Sequence, residues 1–189
     1  MVTTENCNGT KRTKPTRIGT INVATLREKE EAIVEMMKMR NLSILALAET
    51  RLRGNGDKTI HEDYKLVYSG DEMARHGVGF IMEPSVAQYV EKVIFTNDRL
   101  IGVYLIIETV ISIVQVYAPQ QGRPTFEKEE FYQQLQGLVE EMKYQDNIIV
   151  CGDFNGYIGC DRRNFECNMG HTVLVIETRQ DRECCIFVR

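Results

Sequence analysis

Ile148-Ile149-Val150-Cys151-Gly152-Asp153-Phe154-Asn155 is the stretch whose reading decides the fold. A short run of β-branched and apolar residues ending in a glycine and a carboxylate reads as a buried strand. Asp153 and Asn155 then stand where the backbone leaves the sheet. In α/β proteins, chemistry collects at the carboxyl ends of strands, because the loops there vary freely and side chains converge on a ligand. An acid and an amide two residues apart share one face, the first accepting hydrogen bonds or a proton, the second donating and accepting. The same residues also suit an Asx-turn after a strand, so the stretch alone leaves both readings open.

Immediately upstream, Pro124 and Thr125 introduce a helix in which Phe131, Leu135, Leu138, Val139 and Met142 recur at helical spacing. Glu127, Glu129 and Glu130 suit the positive end of its dipole and are read as structural. Two Val-, Ile- and Tyr-rich stretches, from Gln88 to Phe95 and from Leu100 to Val116, predict a meander of antiparallel strands closed by Tyr117. Strands are also expected over Tyr64–Tyr68 and Gly77–Met82, with Arg75 and His76 in the loop before the second, and Gly54-Asn55-Gly56-Asp57 reads as a turn.

Nearer the start, Arg17–Val23 is a β-branched run bearing Asn22 near its end. Thr25 and Glu28 have the spacing of a capping box for a helix running to about Met39. Ser43–Ala48 is short and nearly all apolar, as a central strand covered on both faces should be, and it delivers Glu49. Three strands thus end in Asn22, in Glu49, and in Asp153 with Asn155; a fourth ends in Tyr117. Two carboxylates among such ends suit a hard cation, because magnesium takes carboxylate and water oxygens while a substrate phosphate completes its shell.

Composition bounds the reading. A chain of 189 residues that is 43% hydrophobic can bury one core, and a formal charge of −4 argues against a surface that grips polyanions everywhere. Any nucleic-acid contact must come from local basic groups. No apolar run approaches membrane-spanning length and no secretory signal is visible, so the sequence reads as intracellular, in the nucleus or cytoplasm, and not secreted. Six cysteines without a secretory signal read as free thiols. Cys160, Cys167, His171 and Cys184 lack the paired spacing of zinc ligands. Residues 1–16 read as a disordered basic lead-in, 17–170 as one domain, and 171–189 as a divergent tail.

In order along the chain, Ile21-Asn22-Val23, Leu47-Ala48-Glu49-Thr50-Arg51-Leu52, Gly77-Val78-Gly79-Phe80, Val116-Tyr117-Ala118-Pro119 and Gly152-Asp153-Phe154-Asn155 resemble the successive motifs of the endonuclease/exonuclease/phosphatase superfamily. More narrowly, the chain resembles craniofacial development protein 2-like sequences and the endonuclease domain of LINE-type retrotransposons. The resemblance implies a four-layer α/β sandwich, two mixed sheets with helices outside, that cuts phosphodiesters with Mg2+ or Mn2+. By motif match, Glu49 is the metal ligand with Asp153 beside it, and Asn22 supports metal and phosphate. Tyr117 lies against the scissile phosphate, Asp153 aligns or deprotonates the attacking water, and Asn155 orients the phosphate.

The family pattern continues past Gly-Asp-x-Asn to a second aspartate and a Ser-Asp-His-like ending. Neither His171 nor Asp181 stands in a matching motif, so the fold is expected to be incomplete at the C-terminus. The leading expectation is a metal-dependent DNA endonuclease of retrotransposon origin, with Arg75, Arg162 and Arg163 contacting the DNA backbone. An inactive or degenerate fragment and a phosphatase of the same superfamily are the alternatives. An open sheet edge would leave the chain a monomer or prone to aggregation.

Overall fold

Every strand end singled out above falls at one end of a pair of stacked sheets. The structure is a computed structural model that describes residues 16–107, 110–142 and 148–155, together with the backbone of 173–174 and 183–187. The first sheet contains β1 (Arg17–Asn22), β2 (Ile44–Ala48), β3 (Asn55–Thr59), β4 (Lys65–Ser69), β5 (Val78–Met82) and β11 (Glu183–Phe187), in the order β11-β1-β2-β5-β4-β3. The second contains β6 (Val90–Asn97), β7 (Leu100–Ile106), β8 (Val110–Tyr117), β9 (Ile148–Asp153) and β10 (Val173–Leu174), in the order β10-β9-β8-β7-β6. Helices α1 (Glu30–Met39) and α3 (Thr125–Met142) connect parallel strands, and the four-residue α2 (Pro84–Ala87) sits between β5 and β6.

Three apolar layers hold these elements together. Between the sheets lie Ile18, Ile44, Ala46, Phe80, Ile101, Val103, Ile113 and Ile149. Outside the second sheet, Phe131, Leu135, Leu138, Val139 and Met142 of α3 cover Val114, Val116 and Val150, the face their spacing predicts. Outside the first, Ile33, Val34 and Met37 of α1 cover Leu45, Leu47 and Ile81. Helix, sheet, sheet, helix is the expected four-layer sandwich.

Two parallel pairings matter most for function. β1 runs parallel to β2 with Asn22 opposite Ala48, and β8 runs parallel to β9 with Tyr117 opposite Asp153. Crossover helices force this arrangement, since a parallel neighbour can be reached only by a long connection. The carboxyl ends of all four strands therefore share an edge. β6, β7 and β8 form the predicted antiparallel meander.

The expected capping box does not form. Lys29 occupies the N-cap of α1 without a side-chain cap bond, and the Thr25 hydroxyl instead accepts from the Arg27 amide at 3.3 Å. The Leu26 amide is tied to the Thr50 carbonyl at 2.9 Å, and Ala24 and Glu28 take positive φ, so the segment is pinned to the end of β2 before the helix begins. Residues 54–57 likewise do more than turn. From Asn55 onward they form β3, an edge strand paired with β4 from Asn55 opposite Ser69. An exposed edge tolerates such polar residues, and pairing overrides their turn preference.

β11 lies antiparallel to β1 with Ile18 opposite Ile186, and β10 lies parallel to β9 with Val173 opposite Ile149. Both strands come from 171–189, the stretch read from sequence as a tail. Edge strands add through backbone hydrogen bonds, so a segment with no clear side-chain period can still supply them. Among the described residues, no helix is long and apolar enough to cross a membrane. Arg162, Arg163, Cys160, Cys167 and His171 lie outside the described residues, as does the lead-in up to residue 15.

Candidate functional site

The site starts with Asp153, whose carboxylate accepts a hydrogen bond at each oxygen. The Asn155 amide donates to Oδ1 at 2.8 Å, which is the Asx-turn, and the Asn22 side-chain amide donates to Oδ2 at 2.9 Å from the end of β1. The Asx-turn is therefore present, and the local turn is what aims the carboxylate. Asn22 is itself oriented, since its Oδ1 accepts from the Ala24 amide at 2.9 Å. Asn155 is buried at a φ of 51°, a left-handed conformation that asparagine tolerates better than most residues. Its side-chain amide donates to the Ala118 carbonyl at 2.5 Å, and the Ala118 amide donates to the Asp153 carbonyl at 2.8 Å, locking the two post-strand segments together.

Gly152 makes the approach possible. Its φ is +134°, and a Cβ built there would stand 2.1 Å from the Val116 carbonyl oxygen. No other residue type fits this close passage of β9 along β8.

Glu49 follows β2 at a φ of 59°, a strained value for a glutamate that turns its side chain out of the strand's alternation. The carboxylate is 18% exposed and pairs with the Arg51 guanidinium at 2.6 Å. The segment is held open by hydrogen bonds from the Thr50 and Arg51 amides to the Gly77 and His76 carbonyls, at 3.0 and 2.7 Å. Tyr117 is buried at 4% exposure. Burial first, and then the neighbouring Glu49 and Asp153 carboxylates, push its hydroxyl above the ordinary tyrosine value, with Arg99 pulling partly the other way and a hydrogen bond to Glu49 adding to the rise. Tyr117 is thus a neutral hydroxyl donor at physiological pH.

The fold therefore brings together Asn22, Glu49, Tyr117, Asp153 and Asn155, all five from the ends of four strands. Arg75 stands in the neighbouring loop and is 62% exposed, with its guanidinium on Asp71 at 2.7 Å and its amide on the same carboxylate at 2.8 Å. Burial opposes ionisation of Asp71, but the hydrogen bonds from Arg75 dominate and hold its carboxyl below the usual range.

Three further residues support the site without being marked as site residues by the sequence. His76 Nδ1 lies 2.7 Å from Asp98 Oδ2, and His76 Nε2 lies 3.0 Å from Arg99 Nη2. Arg99 also donates to the Tyr117 carbonyl at 3.1 Å, and its guanidinium carbon lies 5.2 Å from the Tyr117 ring centroid. Nothing in the local pattern around Asn97-Asp98-Arg99 distinguishes a hairpin turn from a functional group, so no sequence signal marks them.

A divalent cation at this edge could take carboxylate oxygens from Glu49 and Asp153 and the Asn22 amide oxygen, a donor set of the hard type. Elsewhere among the described residues, Asp71, His76 and Asp98 gather ligand atoms within 4.8 Å, as do the exposed Glu35, His61 and Glu62. Each of these groups is already bonded internally: both His76 nitrogens are engaged by Asp98 and Arg99, and Lys38 bridges Glu35 and Glu62.

No protein-family model matches the chain. It is 30% identical over 145 residues to craniofacial development protein 2 of Bos taurus, and 28% identical over 145 residues to that of Tragulus javanicus. Each match covers 75% of this chain, which spans about a quarter of the length of these curated relatives (24% and 25%). Among solved structures it resembles an AP endonuclease from Archaeoglobus fulgidus, with a TM-score of 0.55, 21% identity, and coverage of 74% of this chain and 57% of the other. It also resembles the AP endonuclease LMAP from Leishmania major, with a TM-score of 0.58, 15% identity, and coverage of 74% and 55%. A third likeness is to the endonuclease domain of TRAS1, a telomere-specific non-LTR retrotransposon, with a TM-score of 0.50, 17% identity, and coverage of 75% and 59%.

Proposed function

We propose that this chain, which has the endonuclease/exonuclease/phosphatase fold and homologues named craniofacial development protein 2, hydrolyses phosphodiester bonds of DNA inside the cell as a retrotransposon-derived endonuclease domain. The observation that carries this reading is the convergence of four strand ends on one edge, with Asp153 fixed by Asn22 and Asn155 and with Tyr117 beside Glu49. Such an edge offers what phosphodiester hydrolysis needs: an oriented carboxylate for a water, a neutral donor for a phosphoryl oxygen, and oxygen ligands for a cation.

Glu49 and Asp153 would hold Mg2+ or Mn2+, with Asn22 supporting them, and the bound cation would supply charge neutralisation for the phosphate. Asp153 cannot swing, because both of its oxygens are bonded, so it presents a fixed acceptor to the water that attacks phosphorus. The Tyr117 hydroxyl, kept protonated by its surroundings, donates to a phosphate oxygen. Asn155 holds the turn that sets the distance between them. Arg75, Arg162 and Arg163 steer the DNA backbone through contacts that weaken as salt rises.

The test is nicking of supercoiled plasmid by the purified chain with Mg2+, with Mn2+ and with chelator, alongside calorimetric titration of Mg2+. Glu49→Gln and Asp153→Asn are expected to abolish cation binding and nicking together. Metal-dependent release of phosphate from a 3′-phosphorylated oligonucleotide without any nicking would favour the phosphatase reading. Cation binding unchanged in both variants would sink the site assignment.

A further inference from the structure

Asp98, His76, Arg99 and Tyr117 form a continuous chain of contacts that ends at the candidate site and that the proposed reaction does not yet use. Arg99 is always a donor, so the bond at 3.0 Å requires His76 Nε2 to accept. The proton of His76 must then sit on Nδ1, where it donates to Asp98 Oδ2 at 2.7 Å. This fixes the tautomer and the ring plane of His76, whose centroid lies 6.0 Å from that of Tyr117 at an angle of 50°. The guanidinium reaches two partners at once, the His76 ring and the Tyr117 carbonyl, while its carbon stands 5.2 Å from the Tyr117 ring centroid.

The backbone repeats the same links. The Tyr117 amide donates to the Arg99 carbonyl at 2.9 Å, the Gly77 amide to the Asp98 carbonyl at 2.9 Å, and the Arg51 amide to the His76 carbonyl at 2.7 Å. The last bond belongs to the segment that carries Glu49. One loop and one hairpin turn thus support both Tyr117 and Glu49.

An arginine placed here has a cost. Burial works against its charge, with the Asp98 carboxylate only partly offsetting this. A half-buried cation is expensive compared with an apolar residue that would fill the same space. Its planar fork, however, can hold a ring and a backbone carbonyl simultaneously, which a lysine point charge cannot.

We propose that Arg99, oriented by His76 and Asp98, is a positioning residue for Tyr117, fixing the ring so that its hydroxyl stays beside Glu49 and faces the substrate phosphate. The consequence for turnover rests on the nuclease reading above; the consequence for the Tyr117 hydroxyl does not. A ring displaced by about 1 Å is enough to cost on the order of a hundredfold in a positioned reaction.

The experiment follows the Tyr117 ring directly, by carbon NMR of ring-labelled tyrosine at neutral pH, in the wild type and in Arg99→Met, Arg99→Lys and, as a control at the far end of β4, Lys65→Met. The Tyr117 resonance is assigned by its loss in Tyr117→Phe. Arg99→Met is expected to shift the Tyr117 ring resonances, because the fork that holds the ring and its carbonyl is lost, while Lys65→Met leaves them in place. Arg99→Lys, the fallback if Arg99→Met fails to fold, is expected to change the Tyr117 ring shifts at neutral pH, because the fork is lost. Where nicking is measurable, Arg99→Met and Tyr117→Phe should each lower kcat by roughly a hundredfold with KM changed less than about threefold, and the double variant should be no slower than the singles. Tyr117 ring shifts unmoved in folded Arg99 variants would overturn the proposal, as would losses in kcat that multiply. A wild type that does not nick but whose Tyr117 ring shifts respond to Arg99→Lys overturns the nuclease reading and supports this one.

Discussion

Replacing Gly152 with alanine is a direct test of how the fold builds its site. At a φ of +134° an alanine leaves the regions open to L-residues, which costs about 1–3 kcal/mol. The added Cβ would also stand 2.1 Å from the Val116 carbonyl oxygen and 2.9 Å from Gln115 Nε2. The first of these atoms is backbone inside the β8–β9 ladder and cannot rotate away, so a further cost of about 1–3 kcal/mol is expected from overpacking. The sum, about 2–6 kcal/mol, is a large fraction of the roughly 5–15 kcal/mol that holds a domain together. Urea unfolding followed by circular dichroism should show the midpoint falling at an unchanged slope. Gly137 provides the control. It lies exposed within α3 with nothing near its built Cβ, so Gly137→Ala should raise stability by about 0.5–1 kcal/mol. A loss below about 1 kcal/mol in Gly152→Ala would show that β9 does not pass β8 as described, and with it the register that sets Tyr117 opposite Asp153 would fall.

Asn22→Ala removes the donor to Asp153 Oδ2, a bond to a charged group that is worth about 1.5–3 kcal/mol, and should lower stability by a comparable amount in the same urea assay. Tyr117 is pushed up by burial and its carboxylate neighbours, so the fold favours its neutral form. Its contribution is complete below the unfolded tyrosine value near 10 and is lost as pH rises through the folded value. Tyr117→Phe should therefore flatten the alkaline limb of a stability-versus-pH curve, and a limb of unchanged steepness would contradict this. Asp71 behaves in the opposite sense, because Arg75 holds its carboxyl down. Its contribution is present above the unfolded aspartate value and lost as pH falls through the folded one, so Asp71→Asn should flatten the acid limb measured by thermal unfolding.

The elements readable from sequence are those whose side chains report their surroundings directly. β2 and β9 could be read because both faces are buried, so nearly every residue is apolar, and α3 because its buried residues follow the helical period. The same logic located Asn22, Glu49, Tyr117 and Asp153: each is the polar residue that interrupts or ends an apolar strand. β3 was missed because an exposed edge strand need not be apolar, and its pairing with β4 is a backbone event that side chains do not announce. β10 and β11 add to the sheets in the same way.

The Asp98–His76–Arg99 chain was hidden for a different reason. His76 is separated from Asp98 and Arg99 by β5, α2 and β6, and what joins them is the turn between β6 and β7 together with the bonding of Gly77 to Asp98. A motif is visible in sequence when one segment carries it. Here the function of Arg99 depends on which ring and which carbonyl its fork reaches, and those come from β8 and from the loop before β5. The site therefore divides into strand-end residues that the sequence exposes and a supporting group that only the assembled sheets define.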